Sequence, residues 1–595
     1  ICFKVQTKTI ADMIDKLCGA GNAATDAVAE TTPPSIFTEE DLLLQRYYSH
    51  VDVRGDSTYL TQPIPGENPK TYTFKDVEDQ AARMAAHIQS LDLAPESKIG
   101  IVSKNCAHFM ICELAIWMAG HVTVAVYPTL SADGVKYIFD HSEAKLVFVG
   151  KLDDGPWNGL KSGIPDNVPC ISFPLAPEGV DYETWDSIIT KTEPISGRPT
   201  RKMDDQCLIV YTSGSTGTPK GVLHSFRTIS ETSKLFAEYN KVTPEDRVLS
   251  YLPMAHVFDR LVSATTSIYA GYQVFFAESL PTFVADLNRC RPTLFVSVPR
   301  LWLKFQGGVF SKMPPWKLDI LLKIPFVSTT VKKKILTSLG LNTVRMAGSG
   351  SAPIPHELIT WYRSLGLELL EGYGMTENFC YSHATRPKKG LPGFIGQPFP
   401  GVDCKLSEEG EILVKSPGTM VGYYKADDLT AEVMTEDGYL KTGDRGFIDD
   451  QQRLKITGRV KELFKTSKGK YVAPSPIENM INNNTNVELS LVGGSGRVMT
   501  MAVVQLAENL IPQVESDADV KKKVTADLTK LLGEVNAAIE EYEKVGFIVI
   551  AKGTWTVENE LLTPTMKIKR TAIEKLYEDK LDGWYDLKQK VIWEE

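Results

Sequence analysis

Apolar positions along the chain follow two periods in turn, and their alternation predicts layers of helices and strands. Residues 74–91 carry apolar side chains at the three- and four-residue spacing of a helix, and 98–103 follow as a short apolar run typical of a buried strand. The same order recurs at 106–119 and 122–127, and 146–149 is a further strand candidate. Regular alternation of this kind favours an α/β fold with parallel strands.

The second half of the chain carries a smaller unit. A strand-like run at 487–492 precedes apolar residues that recur every three or four positions from Val520 to Ile539, which predicts one long amphipathic helix. A strand candidate follows at 547–551. Because 595 residues exceed what one hydrophobic core usually serves, we expect at least two domains, with an α+β unit in the C-terminal part.

Composition and charge narrow the class of protein. Hydrophobic residues make up 43% of the chain and charged residues 23%, as in ordinary globular proteins, and the net charge of −9 argues against a dedicated nucleic-acid binder. Nine cysteines without CxxC spacing favour a reducing compartment, so we expect a cytoplasmic location. The apolar stretch 109–127 contains Glu113 and His121, and it predicts a buried helix and strand rather than a membrane span.

One loop concentrates the candidate chemistry. Residues 211–222 read YTSGSTGTPKGV and follow an apolar, strand-like run at 207–211. Glycines at 214 and 217 permit backbone conformations that side chains forbid, hydroxyl groups surround them, and Lys220 adds a positive charge. The loop lacks the Gly-Lys-Ser/Thr order of a Walker A motif, but it has the parts of a polyphosphate-binding loop.

In its order of residues this loop resembles the phosphate-binding signature of the adenylate-forming enzymes, which include the acyl-CoA synthetases. Further stretches resemble other motifs of that family: GSGSAP at 348–353, EGYGMTE at 371–377 and YLKTGD at 439–444. The segments LPMAHVFDR at 252–260 and VPRLW at 298–302 resemble the long-chain fatty acyl-CoA synthetase branch. The resemblance extends over nearly the whole chain from about residue 40.

The resemblance implies a nucleotide site. Tyr373 would offer an aromatic face to adenine, Asp444 would accept hydrogen bonds from the ribose hydroxyls, and Arg459 would contact ribose or phosphate. Glu377 would bind Mg²⁺, with Ser213 as a second oxygen ligand. The full set of nucleotide-binding residues that the resemblance implies is Ser213, Gly214, Ser215, Thr216, Gly217, Lys220, Gly350, Gly372, Tyr373, Gly374, Thr376, Asp444 and Arg459.

The resemblance also divides the chain. It implies a lead-in segment over 1–40, a large N-terminal domain of layered sheets and helices over 41–457 that binds ATP and the acyl group, and a small mobile C-terminal domain over 458–595. The joint would be a hinge at 458–462 that contains Lys461. Lys465 and Gly469 would then face CoA during thioester formation.

The last motif provides a lysine for the reaction. Residues 562–570 read LTPTMKIKR, in which Met566 stands where many family members have glycine. The Thr-Pro-Thr-x-Lys form resembles the long-chain branch, so Lys567 is the implied adenylation lysine and Lys569 is its rival. Catalytic roles are also implied for Glu377 and for His256, which would position the substrate carboxylate.

The implied activity is that of an AMP-forming long-chain fatty acid–CoA ligase. A fatty carboxylate attacks the α-phosphate of ATP and expels pyrophosphate, and the CoA thiol then attacks the acyl-adenylate to give acyl-CoA and AMP. Because a carboxylate and a triphosphate repel each other, the reaction requires well-placed cations, here Lys220, Lys567 and Mg²⁺.

Several alternatives stay open at this stage. The chain could load a medium-chain or aryl acid onto CoA or onto a free-standing acyl carrier protein, or it could be a non-catalytic protein on the same scaffold. The apolar segment 261–277 is as suited to plain core as to an acyl tunnel. The expected partners are fatty acid, ATP and CoA, with no nucleic acid. Peripheral membrane contact and a homodimer are both left open.

Overall fold

Helices and strands alternate through the chain, as the apolar pattern predicts. The computed structural model describes residues 36–213, 218–391, 393–563 and 566–595, with Ser213 described by its backbone alone. Most of the predicted lead-in, 1–35, lies outside these residues.

The strands, in chain order, are β1 (Thr58–Gln62), β2 (Lys70–Thr73), β3 (Lys98–Val102), β4 (Val122–Val126), β5 (Leu146–Val149), β6 (Cys170–Ser172), β7 (Glu183–Thr184), β8 (Gln206–Ser213), β9 (Pro219–Ser225), β10 (Arg247–Ser250), β11 (Gln273–Phe276), β12 (Leu294–Ser297), β13 (Met346–Ser349), β14 (Leu369–Tyr373), β15 (His383–Ala384), β16 (Gln397–Pro398), β17 (Asp403–Leu406), β18 (Glu411–Lys415), β19 (Gly422–Tyr423), β20 (Leu440–Ile448), β21 (Leu454–Arg459), β22 (Phe464–Lys465), β23 (Tyr471–Val472), β24 (Val487–Gly493), β25 (Thr500–Leu506), β26 (Val545–Ile550) and β27 (Val591–Trp593).

The α-helices are α1 (Leu43–Arg54), α2 (Phe74–Ser90), α3 (Ala107–Met118), α4 (Ala132–Ser142), α5 (Asp154–Leu160), α6 (Trp185–Lys191), α7 (Phe226–Tyr239), α8 (Val257–Asp259), α9 (Thr266–Ala270), α10 (Phe283–Cys290), α11 (Pro299–Lys312), α12 (Pro315–Lys323), α13 (Val327–Ser338), α14 (His356–Ser364), α15 (Asp427–Val433), α16 (Pro474–Asn482), α17 (Ile511–Ser516), α18 (Ala518–Ala538), α19 (Arg570–Tyr577) and α20 (Leu581–Asp586). Short 3₁₀ turns lie at Glu39–Asp41, Lys161–Gly163, Thr376–Asn378, Val460–Glu462 and Glu578–Lys580, and Arg260–Thr265 is π-helical.

Two large sheets form the layered N-terminal part. The first has the strand order β19-β9-β8-β4-β3-β5-β6-β7, and the second has the order β16-β15-β14-β13-β12-β10-β11-β1-β2. Strands β3 to β8 pair in parallel, and so do β10 to β14, because helices return the chain to the same end of the sheet between most of them. The predicted α/β class and parallel strands are confirmed.

Smaller sheets complete the C-terminal part. Strands β17, β18, β20 and β21 form one antiparallel sheet, β22 and β23 form a hairpin, and β24 to β27 form a mixed sheet. The predicted long helix is α18, which ends one residue before Ile539 and packs its buried face, including Leu528 and Val535, into the core of the last sheet. This arrangement confirms a smaller α+β domain after the large one.

Helix α3 is buried along its whole length. All twelve of its residues are buried, and it is followed by the buried strand β4, as predicted for the stretch 109–127. In the part of the chain that the structure describes, no helix has both the length and the apolar character needed to cross a membrane. The neighbouring π-helical stretch is buried as well, so the structure shows the start of the segment 261–277 as core.

Two opposite charges meet inside this core. The side chains of Glu113 and Arg260 form an ion pair and are only 2% and 1% exposed. Arg260 Nε also donates a hydrogen bond to the carbonyl oxygen of Met254 at 3.0 Å. The pair therefore ties the buried helix α3 to the loop that leads into α8.

Replacing Glu113 by alanine would leave the Arg260 guanidinium buried without its carboxylate. Breaking a buried pair in this way usually costs about 3–5 kcal/mol, so we expect E113A to lower the free energy of unfolding by about that amount. Chemical denaturation followed by tryptophan fluorescence measures the loss. The double variant Glu113→Met/Arg260→Met removes both charges and should recover most of the stability. Equal instability of the single and double variants would contradict the argument.

Candidate functional site

The predicted phosphate loop connects β8 to β9, two antiparallel strands. Their register places Thr212 opposite Lys220, so Lys220 lies where the loop returns to the sheet. Ser213 ends β8, while its side chain and the predicted residues Gly214, Ser215, Thr216 and Gly217 lie outside the described residues. Their roles stay predictions.

An aromatic ring joins Lys220 to Glu377. The Lys220 Nζ atom lies 4.9 Å from the centre of the Tyr423 ring, and the Tyr423 hydroxyl donates to Glu377 Oε1 at 2.8 Å. Burial and the negative charge of Glu377 raise the pKa of Tyr423, so its hydroxyl keeps its proton. Two residues from motifs far apart in the sequence thus contact the same tyrosine, Lys220 over its ring and Glu377 at its hydroxyl.

Glu377 is presented by a tight backbone turn. A Cβ atom at Gly374 would lie 2.5 Å from backbone atoms of Cys380, so only glycine fits there. The carbonyl oxygen of Thr376 accepts a hydrogen bond from His224 Nε2 at 2.9 Å. The two residues after this 3₁₀ turn both have positive φ, a conformation that is uncommon for residues with side chains. These constraints fix the backbone that carries the Glu377 carboxylate.

The Asp444 carboxylate contacts two other predicted residues. Its Oδ2 accepts a hydrogen bond from the Tyr373 hydroxyl at 2.7 Å, and its Oδ1 lies 3.2 Å from Arg459 Nε. Asp444 and Arg459 face each other across the antiparallel pair β20–β21. Because a carboxylate oxygen has two lone pairs, each oxygen keeps acceptor capacity for a further donor.

Lys567 stands on a small hairpin. The Thr563 amide donates to the Lys567 carbonyl oxygen at 2.7 Å, and the Lys567 amide donates to Thr563 Oγ1 at 3.1 Å. Met566, which replaces the glycine of many family members, has φ of 61°, a left-handed conformation that glycine adopts more easily. Met566 is therefore held in a backbone conformation that is uncommon for a residue with a side chain.

Lys567 has Arg459, Asp444 and Glu377 as electrostatic neighbours, and we call the region of these residues and Lys220 the cleft. Burial by surrounding protein atoms and the charge of Arg459 lower the pKa of Lys567, whereas the charges of Asp444 and Glu377 act in the opposite direction. Lys567 is nevertheless an exposed residue, so its side chain is accessible from solvent. Its rival Lys569 donates its amide to Leu561 at 2.8 Å and directly precedes α19.

His256 lies within electrostatic range of Lys567. Its Nδ1 accepts a hydrogen bond from the Phe258 amide at 3.1 Å. Burial, and next the charge of Lys567, lower the pKa of His256 from 6.5 to about 4. The ring is therefore neutral near pH 7, and its Nε2 carries the proton as a donor. A Cβ atom at Gly350 would lie 3.3 Å from the Phe258 ring and 3.5 Å from the Gly372 oxygen, so these predicted residues are neighbours.

The residues predicted for the hinge and the CoA face lie elsewhere. Lys461 belongs to the 3₁₀ turn after β21. Lys465 and Gly469 belong to the β22–β23 hairpin, where Lys465 Nζ lies 5.6 Å from the Tyr471 ring centre and Gly469 turns the chain with φ of 77°. In the part of the chain that the structure describes, this hairpin makes no hydrogen bond or ion pair with Glu377 or Asp444. The roles of its residues stay predictions.

The donor set suits a magnesium ion that is bound mainly by its substrate. Glu377 supplies one carboxylate, and only its Oε1 is engaged by Tyr423. Over residues 36–213, 218–391, 393–563 and 566–595, no three histidine, cysteine or acidic side chains form a metal-binding group. Mg²⁺ commonly takes one or two protein carboxylates together with phosphate oxygens and water, so Glu377 fits the ion.

Sequence reasoning missed Tyr423 and His224. Tyr423 stands in an apolar stretch and His224 in a buried strand, which are ordinary places for core residues. Neither position carries a motif, and their contacts with Glu377 and Thr376 depend on residues more than 40 and 150 positions away. Only the folded chain reveals them.

The chain matches known families and proteins along most of its length. Residues 48–424 match the family described as AMP-binding enzyme, and residues 462–589 match the AMP-binding enzyme C-terminal domain. The chain is 27% identical to Long-chain-fatty-acid–CoA ligase 1 of Homo sapiens, over 96% of this chain and 90% of that protein. It is 29% identical to Long chain acyl-CoA synthetase 4 of Arabidopsis thaliana, over 86% of each chain.

Solved structures share the fold. The adenylation domain of a carboxylate reductase from Mycobacterium chelonae superposes with a TM-score of 0.76 at 20% identity, over 97% of each chain. The corresponding domain from Segniliparus rugosus, in complex with AMP and a co-purified carboxylic acid, gives 0.75 at 21% identity, over 98% of this chain and all of that one.

The lowered pKa of His256 predicts a dependence of stability on pH. An unfolded chain binds a proton at this histidine near pH 6.5, whereas the folded chain does so only near pH 4. Stability from the neutral ring is therefore fully present above pH 6.5 and is lost as the pH falls towards 4. We expect His256→Gln to lose less unfolding free energy than the wild type between about pH 7.5 and about pH 5 in denaturant titrations. Parallel pH curves for the two proteins would refute this.

Proposed function

The chain belongs to the AMP-binding enzyme family, and on that basis we propose that it is a long-chain fatty acid–CoA ligase that forms AMP. The observation that carries the proposal is the cleft in which Lys220, Glu377, Asp444, Arg459 and Lys567 lie together. The acyl class follows the names of the relatives in Homo sapiens and Arabidopsis thaliana.

In the first half-reaction a carboxylate oxygen of the fatty acid forms a bond to the α-phosphorus of ATP, and the bond to the β-phosphate oxygen breaks. Both reactants are anions, so Lys567 and Lys220 lower the barrier by offsetting the negative charge that accumulates. His256 donates its Nε2 proton in a hydrogen bond that orients the fatty carboxylate. No proton is transferred in this step.

The nucleotide is held by the remaining cleft residues. Asp444 accepts hydrogen bonds from the ribose hydroxyls with the lone pairs that Tyr373 and Arg459 leave free, and Tyr373 packs against adenine. Glu377 and Ser213 would hold Mg²⁺, which would supply positive charge at the phosphates. Gly350, Gly372 and Gly374 leave room for the nucleotide beside the backbone.

In the second half-reaction the CoA thiol loses its proton to solvent, its sulfur forms a bond to the acyl carbon, and the bond from that carbon to the AMP oxygen breaks, so that AMP leaves with the electron pair. We place the domains at 41–457 and 458–595, with a hinge at 458–462. Rotation about Lys461 would exchange Lys567 for the hairpin of Lys465 and Gly469 at the cleft. Support for a hinge comes from Gly458, whose φ of 149° is a conformation that favours glycine.

Pyrophosphate release from Mg-ATP tests the proposal directly. We expect turnover that depends on CoA and is greatest with long-chain fatty acids in a panel that includes medium-chain and aryl acids. Lys567→Ala should reduce the adenylation rate by about 10²–10³-fold, as expected for the loss of one charge contact to the transition state, whereas Lys569→Ala should not. Turnover that ignores CoA would favour transfer to a carrier protein, and an optimum with aryl acids would overturn the acyl class.

Besides the Asp444–Arg459 pair at the hinge, a second ion pair joins the proposed domains. Arg300, at the start of α11, pairs with the carboxylate of Glu488 in β24, and its Nη1 donates to the Glu488 carbonyl oxygen at 3.1 Å. Burial lowers the pKa of Arg300, and the charge of Glu508 opposes this shift. The contact forms while Lys567 lies at the cleft, so it would stabilise the adenylating arrangement of the domains.

Arg300→Ala should therefore slow acyl-adenylate formation while leaving thioester formation from added acyl-adenylate unchanged. A partly exposed pair contributes up to about 1 kcal/mol, which corresponds to a loss of about 5-fold. Single-turnover assays of each half-reaction measure the two rates. Arg83→Ala, which breaks the 2.9 Å pair with Asp79 within α2, is the matched control and should affect neither. Equal slowing of both steps by Arg300→Ala would contradict a role specific to one arrangement.

A further inference from the structure

A helical hairpin on the large domain exposes an unusual number of large apolar side chains. It consists of α12 and α13 and lies between α11 and β13. Trp316 is 66% exposed and Phe326 is 90% exposed, and Ile320, Ile324 and Val327 are exposed as well. Exposed apolar side chains that stand singly are normal, but a contiguous group marks an interaction surface.

One face of α12 packs in the core and the opposite face is exposed. Leu318 and Leu322 contact the core cluster that also contains Ile335 of α13. Trp316, Ile320 and Ile324 recur every four residues, which places them together on the other side of the helix. The hairpin is thus anchored by one apolar face and presents a second one to its surroundings.

Phe326 lies at the tip of this hairpin. It precedes α13 with φ of 65°, a conformation that is unusual for a bulky residue. The backbone turn between the helices therefore carries the large aromatic ring outward, where it is the most exposed of the group. An aromatic ring at such a tip is well suited to enter an apolar phase.

The charge around this apolar face is strongly positive. Residues 312–334 contain six lysines and one acidic residue, Asp319, whereas the whole chain has a net charge of −9. Most of these lysines are exposed. The basic set is Lys312, Lys317, Lys323, Lys332, Lys333 and Lys334.

We propose that residues 312–334, the lysine–aromatic hairpin, dock on the surface of a membrane that contains anionic lipids. Apolar side chains that enter the acyl boundary, with lysines at the level of the lipid phosphates, are the features of a segment that lies on a membrane. This docking is independent of the proposed function. If the proposed function holds, the hairpin also brings the enzyme to the phase into which long acyl chains partition.

Co-sedimentation of the full chain with lipid vesicles tests the proposal. The wild type should bind vesicles of phosphatidylcholine mixed with phosphatidylserine far better than vesicles of phosphatidylcholine alone. Substituting Lys332, Lys333 and Lys334 by glutamine together should weaken this binding about 100-fold. The matched control carries glutamine at Lys521, Lys522 and Lys523, three exposed lysines of α18, and should bind like the wild type.

The apolar contribution is tested separately. Phe326→Ser should weaken binding on the order of 10-fold, while Leu280→Ser, at a position 86% exposed in another loop, should not. Failure of the wild type to bind the mixed vesicles would overturn the proposal, as would equal losses in the two triple-lysine variants. Unchanged binding of Phe326→Ser would also overturn it, because the lysines alone would then account for binding. That result would favour a surface that binds an acidic macromolecule through charge.

Ligase assays separate this proposal from the proposed function. With a fatty acid delivered on serum albumin in the absence of vesicles, the hairpin variants should form acyl-CoA as fast as the wild type. Loss of vesicle binding with intact ligation supports a docking role, and parallel loss of both would overturn it in favour of a structural defect. A wild type that binds vesicles but ligates no acid would refute the proposed function and leave the docking surface in place.

Discussion

The contacts of the Asp444 carboxylate hold the cleft together. Asp444 lies on β20, and it binds the Tyr373 hydroxyl from β14 in the large sheet and the Arg459 guanidinium at the end of β21, where the proposed hinge begins. Two sheets, the large one that contains β14 and the antiparallel one that contains β20 and β21, thus depend on one buried acid for their mutual position. Because the charges of Asp444 and Arg459 also act on Lys567, the same carboxylate links the geometry of the cleft to the reactivity of its lysine.

Much of the architecture follows from local pattern. The strands β3, β4, β5 and β8 could be placed from short apolar runs, and α2 and α18 from helical spacing, because each buries one face or all faces in a core. The sequence also predicts in part which motif residues take part in the site. Glu377 and Lys567 stand on tight turns, and such positions leave side chains free for chemistry, whereas Asp444 lies within strand β20.

The rest depends on contacts between distant residues. Tyr423 binds Glu377 across 46 positions, and His224 supports Thr376 across 152, so no local signal distinguishes either from an ordinary core residue. The exposed face of α12 is a different case. Its helical spacing is regular, but an amphipathic pattern does not say which apolar stripe is buried, and Leu318 rather than Trp316 faces the core only because of how the hairpin packs.

The buried pair of Glu113 and Arg260 has a consequence for folding during synthesis on the ribosome. The two residues are 147 positions apart, so during synthesis α3 is made well before its partner. At a typical elongation rate the wait is on the order of ten seconds or more. Throughout that interval Glu113 lacks its cationic partner in the nascent chain. The ion pair, and the completed core around it, can therefore form only after Arg260 leaves the ribosome.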